Sequence, residues 1–360
     1  MGDAPGGARD PRARAAWQRA EGLLGPLARD RLFGIALVVT AAVGYGSGGL
    51  FARPAYAAGA DWLTVMAWRF GIAMVLSWGL VAMRPQSRAA LRGLAPRATA
   101  ITLGLGAMLV LHSGTYYAAI ETVPLSLAGL ATSIYPPLVA VLAVRIGRPL
   151  DGRRAWLAVA LTVAGMGLAV GGIKASEMPP WSGLLLAISA PIFYSIWILL
   201  AARHSGETRE STGAESGQTT DAVATGALLL TGTAVSYWVM ALGVGNPVLP
   251  GEVPAGAWPG ILGVALTSGF LAPQAFYAGA RRVGGAQAAL ISTVEPLYTI
   301  LAAGFVLGEM LTPTQWGGAA LIIVGVVLSQ WHGARSPAKA GAQVGREPVI
   351  PPALVRAGDD

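Results

Sequence analysis

Residues Tyr117–Pro136 read YAAIETVPLSLAGLATSIYP, and residues Tyr277–Pro296 read YAGARRVGGAQAALISTVEP. Laid over one another at a constant offset of 160 (117 to 277, 136 to 296), they match Ala118 with Ala278, Val123 with Val283, Ala128 with Ala288 and Leu130 with Leu290. The same offset carries Trp156 to Trp316, Ala160 to Ala320, Leu161 to Leu321, Gly165 to Gly325 and Leu168 to Leu328. Apolar helices resemble one another loosely, but a shared register that pins Tyr, Trp, Pro and Gly together marks an internal repeat. At a shorter offset Gly34 lies over Gly183 and Tyr45 over Tyr194, which places extra loop in the second half.

The medium in which the repeat folds follows from composition. Of 360 residues 54% are hydrophobic and 12% charged, against about 25% charged in soluble domains. Apolar runs of about 20 residues cross about 30 Å of hydrocarbon as helix. Ten are expected, near 32–51, 62–83, 99–119, 125–145, 154–172, 182–201, 222–243, 259–280, 286–307 and 314–331. The predicted fold is all-α and integral to the membrane, with repeats at 32–172 and 182–331 and tails at 1–31 and 332–360. In the first tail, Trp17, Leu23, Leu24 and Leu27 allow a short interfacial helix, but Pro26 and the glycines favour a disordered arm. The second tail, rich in Pro, Gly and Ala, reads as disordered.

The net charge of +7 does not point to nucleic acid, because the cations follow alternate loops. Arg84, Arg88, Arg92 and Arg97 follow span 2; Arg145, Arg148, Arg153 and Arg154 flank the turn after span 4. Arg203 and Arg209 follow span 6, and Arg281 and Arg282 follow span 8. The other loops hold little basic beyond Arg53 and Lys174, and carry Asp61, Glu121, Glu177, Glu252 and Glu309. Excess Lys and Arg stay on the cytoplasmic side, so both tails are expected there, in a multi-pass protein of the inner (plasma) membrane. Without cysteine there is neither a disulfide nor a thiolate metal site. Both lysines, Lys174 and Lys339, precede Ala, so a phosphate-binding GxxxxGK[ST] loop is absent. No metal or cofactor is expected, and three histidines and scattered acidic residues form no catalytic cluster, so an enzyme is not expected either.

Five spans per repeat turn the second copy over. Two inverted five-helix repeats are a recurrent secondary-transporter architecture with substrate held near the midplane. The residues that fit such a protein also carry a family resemblance: Arg69-Phe70, Tyr117-Ala118-Ala119, Pro136, Glu295-Pro296, Leu307-Gly308-Glu309-Met310-Leu311, Gln315, Gly317, Gly318 and Gly325. Over about 32–331 the chain resembles EamA-type members of the drug/metabolite transporter superfamily. That resemblance implies movement of amino acids, sugars, nucleosides or other metabolites, mostly outward, by alternating access. An amino-acid exporter is the leading expectation, with an uncoupled facilitator or an efflux pump for drug-like compounds as alternatives. Arg148 stands where the first repeat of such proteins often has the acidic residue that Glu309 supplies in the second.

Candidate site residues are the polar and aromatic groups deep in the spans. An acidic residue at mid-span costs about 2.5–3.5 kcal/mol on insertion scales, so Glu295 either lines a cavity or is a structural carboxylate between helices. Ser292, Glu295 and Thr299 share a helical face, with Tyr298 close by. Pro296 lacks an N–H and is expected to leave the Ser292 carbonyl bare, and Pro136 and Pro296 are candidate hinges. Arg69 has three readings: a side chain reaching outward to water, a partner of Glu295, or a contact for a substrate carboxylate. His112 is a proton relay or a packing hydrogen-bonder. Tyr45, Tyr116, Tyr194, Trp197, Gln274 and Tyr277 make either an aromatic wall for an amphipathic solute or ordinary helix packing. Gly44–Gly49, GYGSGG, mimics a nucleotide fingerprint, but inside an apolar helix it reads as a close-approach surface. Small residues in spans 5 and 10 permit a homodimer without requiring one.

Overall fold

The computed structural model describes residues 11–144, 152–172, 178–204 and 221–330; among the described residues it is helical, without strands. The expected tail 332–360 and Arg148 lie outside the described residues. The helices are α1 (Pro11–Ala57), α2 (Trp62–Met83), α3 (Pro85–Arg92), α4 (Pro96–Thr122), α5 (Leu125–Thr132), α6 (Tyr135–Val144), α7 (Gly152–Gly171), α8 (Trp181–His204) and α9 (Ala222–Gly243). There follow α10 (Trp258–Val264), a π-helical stretch Ala265–Leu271, α11 (Ala272–Val283), α12 (Gly285–Ile291), α13 (Val294–Leu307) and α14 (Pro313–Gln330).

Among the described residues seven stretches are long and apolar enough to cross a bilayer: Arg29–Ala57, Trp62–Met83, Pro96–Thr122, Trp181–Ala201, Ala222–Gly243, Ala255–Val283 and Gln287–Leu307. Leu125–Val139, Trp156–Gly171 and Pro313–Leu328, at the places of expected spans 4, 5 and 10, are shorter apolar helices. One expectation fails outright. From Pro11 on, the arm before span 1 is helical and not disordered, because α1 runs unbroken from Pro11 to Ala57; its Ala, Arg, Leu and Glu are strong helix formers and outweigh Pro26.

Acidic side chains fix where several helices begin. Asp61 caps α2, accepting from the Thr64 N–H at 2.7 Å, and its second oxygen takes the Asn246 amide from the loop after α9. Glu121 accepts from the Trp62 N–H at 2.6 Å. Asp221 caps α9 through the Ala224 N–H and binds the Ser87 hydroxyl, both at 2.9 Å. The first N–H groups of a helix have no partner within it, and carboxylates satisfy them while facing the positive end of the helix dipole.

The packing repeats with the sequence. α4 pairs with α8 as α1 pairs with α11; α5 and α6 lie on α8 as α13 lies on α1. The pairs α2–α9, α7–α14 and α5–α13 each join the two copies of one span. Two equivalent bundles result, each mixing the halves: α1 with α10, α11 and α13, and α8 with α4, α5 and α6. They meet where α5 crosses α13, and α2–α9 and α7–α14 complete the assembly.

Glycine sets the closest of these approaches. A methyl group at Gly318 would stand 2.5 Å from the Gly165 carbonyl, and one at Gly279 would stand 2.7 Å from that of Gly34. In α4 and α9 the fit is reciprocal, Gly106 lying against the Leu229 carbonyl and Gly232 against that of Leu103. GYGSGG is such a surface too: added methyls would meet Ala272 at 2.9 Å from Gly44 and Thr299 at 2.6 Å from Gly46. Gly165, Gly318 and Gly325 thus serve the α7–α14 contact inside one chain.

Candidate functional site

Spans 4 and 9 are broken at related places. α5 stops at Thr132 and α6 starts at Tyr135; α12 stops at Ile291 and α13 starts at Val294. Each restart carries its proline, Pro136 or Pro296, in the first turn, where a missing N–H costs nothing. Before each break a serine hydroxyl donates to the carbonyl four residues back, Ser133 to Gly129 at 2.8 Å and Ser292 to Ala288 at 3.0 Å. The two prolines therefore begin half-helices, where the sequence suggested kinks within continuous ones. Nor is the Ser292 carbonyl bare, since the Glu295 N–H donates to it at 3.0 Å; a tight turn replaces the helical bond that Pro296 cannot make.

Glu295 consequently stands in the first turn of a half-helix, at the positive end of its dipole. Its carboxyl has neither a hydrogen bond nor an ion pair among the described residues. Tyr45 and Tyr116 lie within electrostatic reach of Glu295 and of Arg69, and Tyr135 within reach of Glu295. Thr299 turns away toward α1: its hydroxyl donates to the Glu295 carbonyl at 3.0 Å and it packs on Gly46 and Gly129. Next to it the Tyr298 and Ser47 hydroxyls share a 2.8 Å hydrogen bond.

Facing them from the other bundle is a column of rings. His112 stacks on Tyr194 at 4.3 Å between centroids, Tyr194 on Trp197 at 6.0 Å, and Tyr135 meets Tyr194 edge-on at 4.9 Å. The column is held from behind: His112 Nδ1 donates to the Ala190 carbonyl at 3.0 Å and Trp197 Nε1 to that of Leu105 at 2.8 Å. Tyr116 packs edge-on against Tyr117 at 5.3 Å. On α11, Tyr277 packs edge-on against Phe276 at 5.9 Å, and Gln274, half-buried, makes no hydrogen bond among the described residues.

Arg69 neither reaches outward nor pairs with Glu295. It is 8% exposed, with its guanidinium 4.7 Å from the ring centroids of both Phe70 and Tyr117, and Nη2 donates to the Ser268 carbonyl at 3.4 Å. No carboxylate pairs with it among the described residues. Ser268 explains the placement. In the π-helical stretch the Ala272 N–H bonds to Thr267, five residues back, so the next donor should serve Ser268, but that residue is Pro273. Arg69 supplies the missing donor. Arg69→Met should therefore cost about 1–3 kcal/mol for an unpaired buried carbonyl. In a Pro273→Ala background, which restores an N–H, the loss should shrink; thermal unfolding in detergent across the four-variant cycle measures it. An equal loss in both backgrounds would refute this account.

Sequence reasoning also missed what Glu309 binds. Gly308, at φ +71°, ends α13 and turns Glu309 back over it. Oε1 accepts from Arg53 Nη2 and the Leu125 N–H, both at 3.0 Å, and Oε2 from the Ser126 N–H at 2.9 Å.

Two related halves, helices broken at matching places and a deep carboxyl that has no partner among the described residues define a multi-pass membrane protein. The EamA-like transporter family model matches the chain twice, over residues 32–171 and 181–331, and the chain belongs to that family of membrane transporters. Sixteen chains among solved structures match. One, described as "Crystal structure of protein", is 17% identical with a TM-score of 0.54, over 83% of this chain and 96% of the other, a likeness of fold alone. No curated protein matches.

Proposed function

We propose that the chain is a secondary transporter that exports small zwitterionic metabolites, amino acids foremost, by alternating access across the inner (plasma) membrane. Ten spans cross the bilayer as two inverted sets of five, spans 4 and 9 as pairs of half-helices, with both termini and the Arg-bearing loops in the cytoplasm. The observation that carries the reading is the Glu295 carboxyl, without a protein partner among the described residues at the start of a half-helix. Buried ionisable groups in a membrane protein mark substrate or ion pathways.

Glu295 takes the ammonium group of the substrate or a proton in its place, which couples the two. The buried cation of Arg69, which no carboxylate pairs with among the described residues, lies within electrostatic reach of Tyr45 and Tyr116, as Glu295 does, and supplies the positive charge for the substrate carboxylate. His112, Tyr194 and Trp197 offer ring faces to an apolar side chain. Because each bundle mixes the halves, the moving bodies are the bundles and not the sequence repeats.

Counterflow in proteoliposomes tests the proposal. Apolar and aromatic amino acids are expected to exchange saturably, and their amides and decarboxylated amines poorly, because each lacks the carboxylate. Equal flux of the amines would shift the reading to drug-like cations. Amino-acid flux indifferent to an imposed pH gradient would make the protein an uncoupled facilitator.

A further inference from the structure

We propose that Glu309 is the latch of the outer gate, and that releasing its carboxylate from α5 opens the way to Glu295 from the outside. The proposal rests on the transporter reading above. Glu309 follows α13, in the bundle of α1, while the Leu125 and Ser126 N–H groups that bind it begin α5, in the bundle of α8. Each oxygen of one carboxylate thus holds a free N–H of the opposing bundle, in the charge-assisted geometry that makes such bonds strong. Arg53 comes from α1, on the same bundle as Glu309, and pairs with Oε1 at 3.0 Å. It positions the carboxylate without itself crossing the boundary. Tyr56 Oη of α1 also crosses the boundary, donating to the Tyr117 carbonyl of α4 at 3.1 Å, whereas the ties from Asn246 to Asp61 and from Trp68 Nε1 to the Val248 carbonyl at 3.0 Å run between α2 and the loop after α9. The latter two sit in the flanking pair, so they need not break when the bundles part.

The position also fits a gate. Below the latch, α5 and α13 cross where Thr299 meets Gly129, a methyl group on which would stand 3.1 Å from the Thr299 side chain. Separating the α5 start from Glu309 uncovers that crossing and, beyond it, Glu295. At the related turn of the first half, which lies outside the described residues, the sequence has Arg148 in place of a glutamate and Asp151 three residues on.

The absence of cysteine makes this directly measurable, because an introduced thiol is the only one in the chain. Thr299→Cys, 3% exposed at that residue in the closed arrangement, reports on the crossing. A membrane-impermeant maleimide is applied to either face of oriented membrane vesicles, without substrate. Glu309→Ala should speed labelling from outside about fivefold or more, the scale of a lost helix cap, and slow it from the cytoplasmic face. Arg53→Met should give a smaller rise of the same sign, because both N–H bonds remain, and it serves as the test if Glu309→Ala folds poorly. Unchanged rates in both variants, or faster labelling from both faces, would overturn the latch; the latter is what a loosened fold gives. Opposed changes in accessibility with no flux of any compound would leave the latch standing and remove the transporter reading, whereas flux with indifferent accessibility would do the reverse.

Discussion

Replacing Glu295 with Gln is expected to abolish saturable counterflow while leaving the protein as stable as before, or more so. Truncating one partner of a buried charge pair costs about 2–5 kcal/mol, a loss of about thirtyfold or more in apparent affinity for a substrate ammonium group. The folded protein loses no bond in exchange, because no protein group pairs with the carboxyl among the described residues. An amide of the same shape is also cheaper to bury than a carboxylate. Counterflow and thermal unfolding of the same preparation give both readouts. A structural carboxylate predicts the reverse pattern, with stability lost and flux following it, and that pattern would remove Glu295 from the site.

The largest effect on folding is expected at the α4–α9 contact. At Gly106 and Gly232 an added methyl would overlap a backbone carbonyl of the opposing helix, Leu229 and Leu103 in turn. Neither neighbour is a flexible side-chain end, so the helices must separate along their contact. Gly106→Ala and Gly232→Ala should each cost about 3 kcal/mol, at the upper end of overpacking penalties. The double variant should fail to accumulate as folded protein. Gly104 and Gly226 lie on the same two helices with nothing near the space a methyl would fill. Alanine there should be neutral or stabilise by up to about 1 kcal/mol, since it is the better helix former. Thermal midpoints of the four single variants in detergent decide it, and equal losses at all four would show that the contact is not the cause.

The repeat was legible because it preserves residues with special geometry. Pro136 and Pro296, Trp156 and Trp316, and Gly165 and Gly325 keep one register, and the structure places the breaks beside the prolines and Gly165 and Gly325 in the α7–α14 contact. The continuous helix from Pro11 was not legible, because turn residues were weighted above the helix formers around them. The mixing of the halves into two bundles was hidden as well: hydropathy says which residues avoid water and nothing about which helix they meet.

At the site, the intramembrane charge was visible as an anomaly, but partners were not. Arg53 and Glu309 are 256 residues apart in sequence and Ser126 and Glu309 are 183 apart, distances over which one sequence carries no pairing signal. The contact that holds Arg69 was not legible, for a subtler reason. What it satisfies is a backbone carbonyl left over by Pro273 in a π-helical register, and only the combination of proline and register creates the need.

The breaks in spans 4 and 9 also have an electrical meaning. α5, of 8 residues, is about 12 Å long, less than half of a 30 Å hydrocarbon layer. Water admitted as far as the break brings the potential of that face to mid-membrane. The whole transmembrane voltage then falls across the half that stays shut, steepening the field about twofold. In the proposed cycle, a proton or ammonium ion reaching Glu295 through the wet half would do no work against the voltage. Crossing the dry half meets it all at once, about 2.3 kcal/mol per charge at 100 mV.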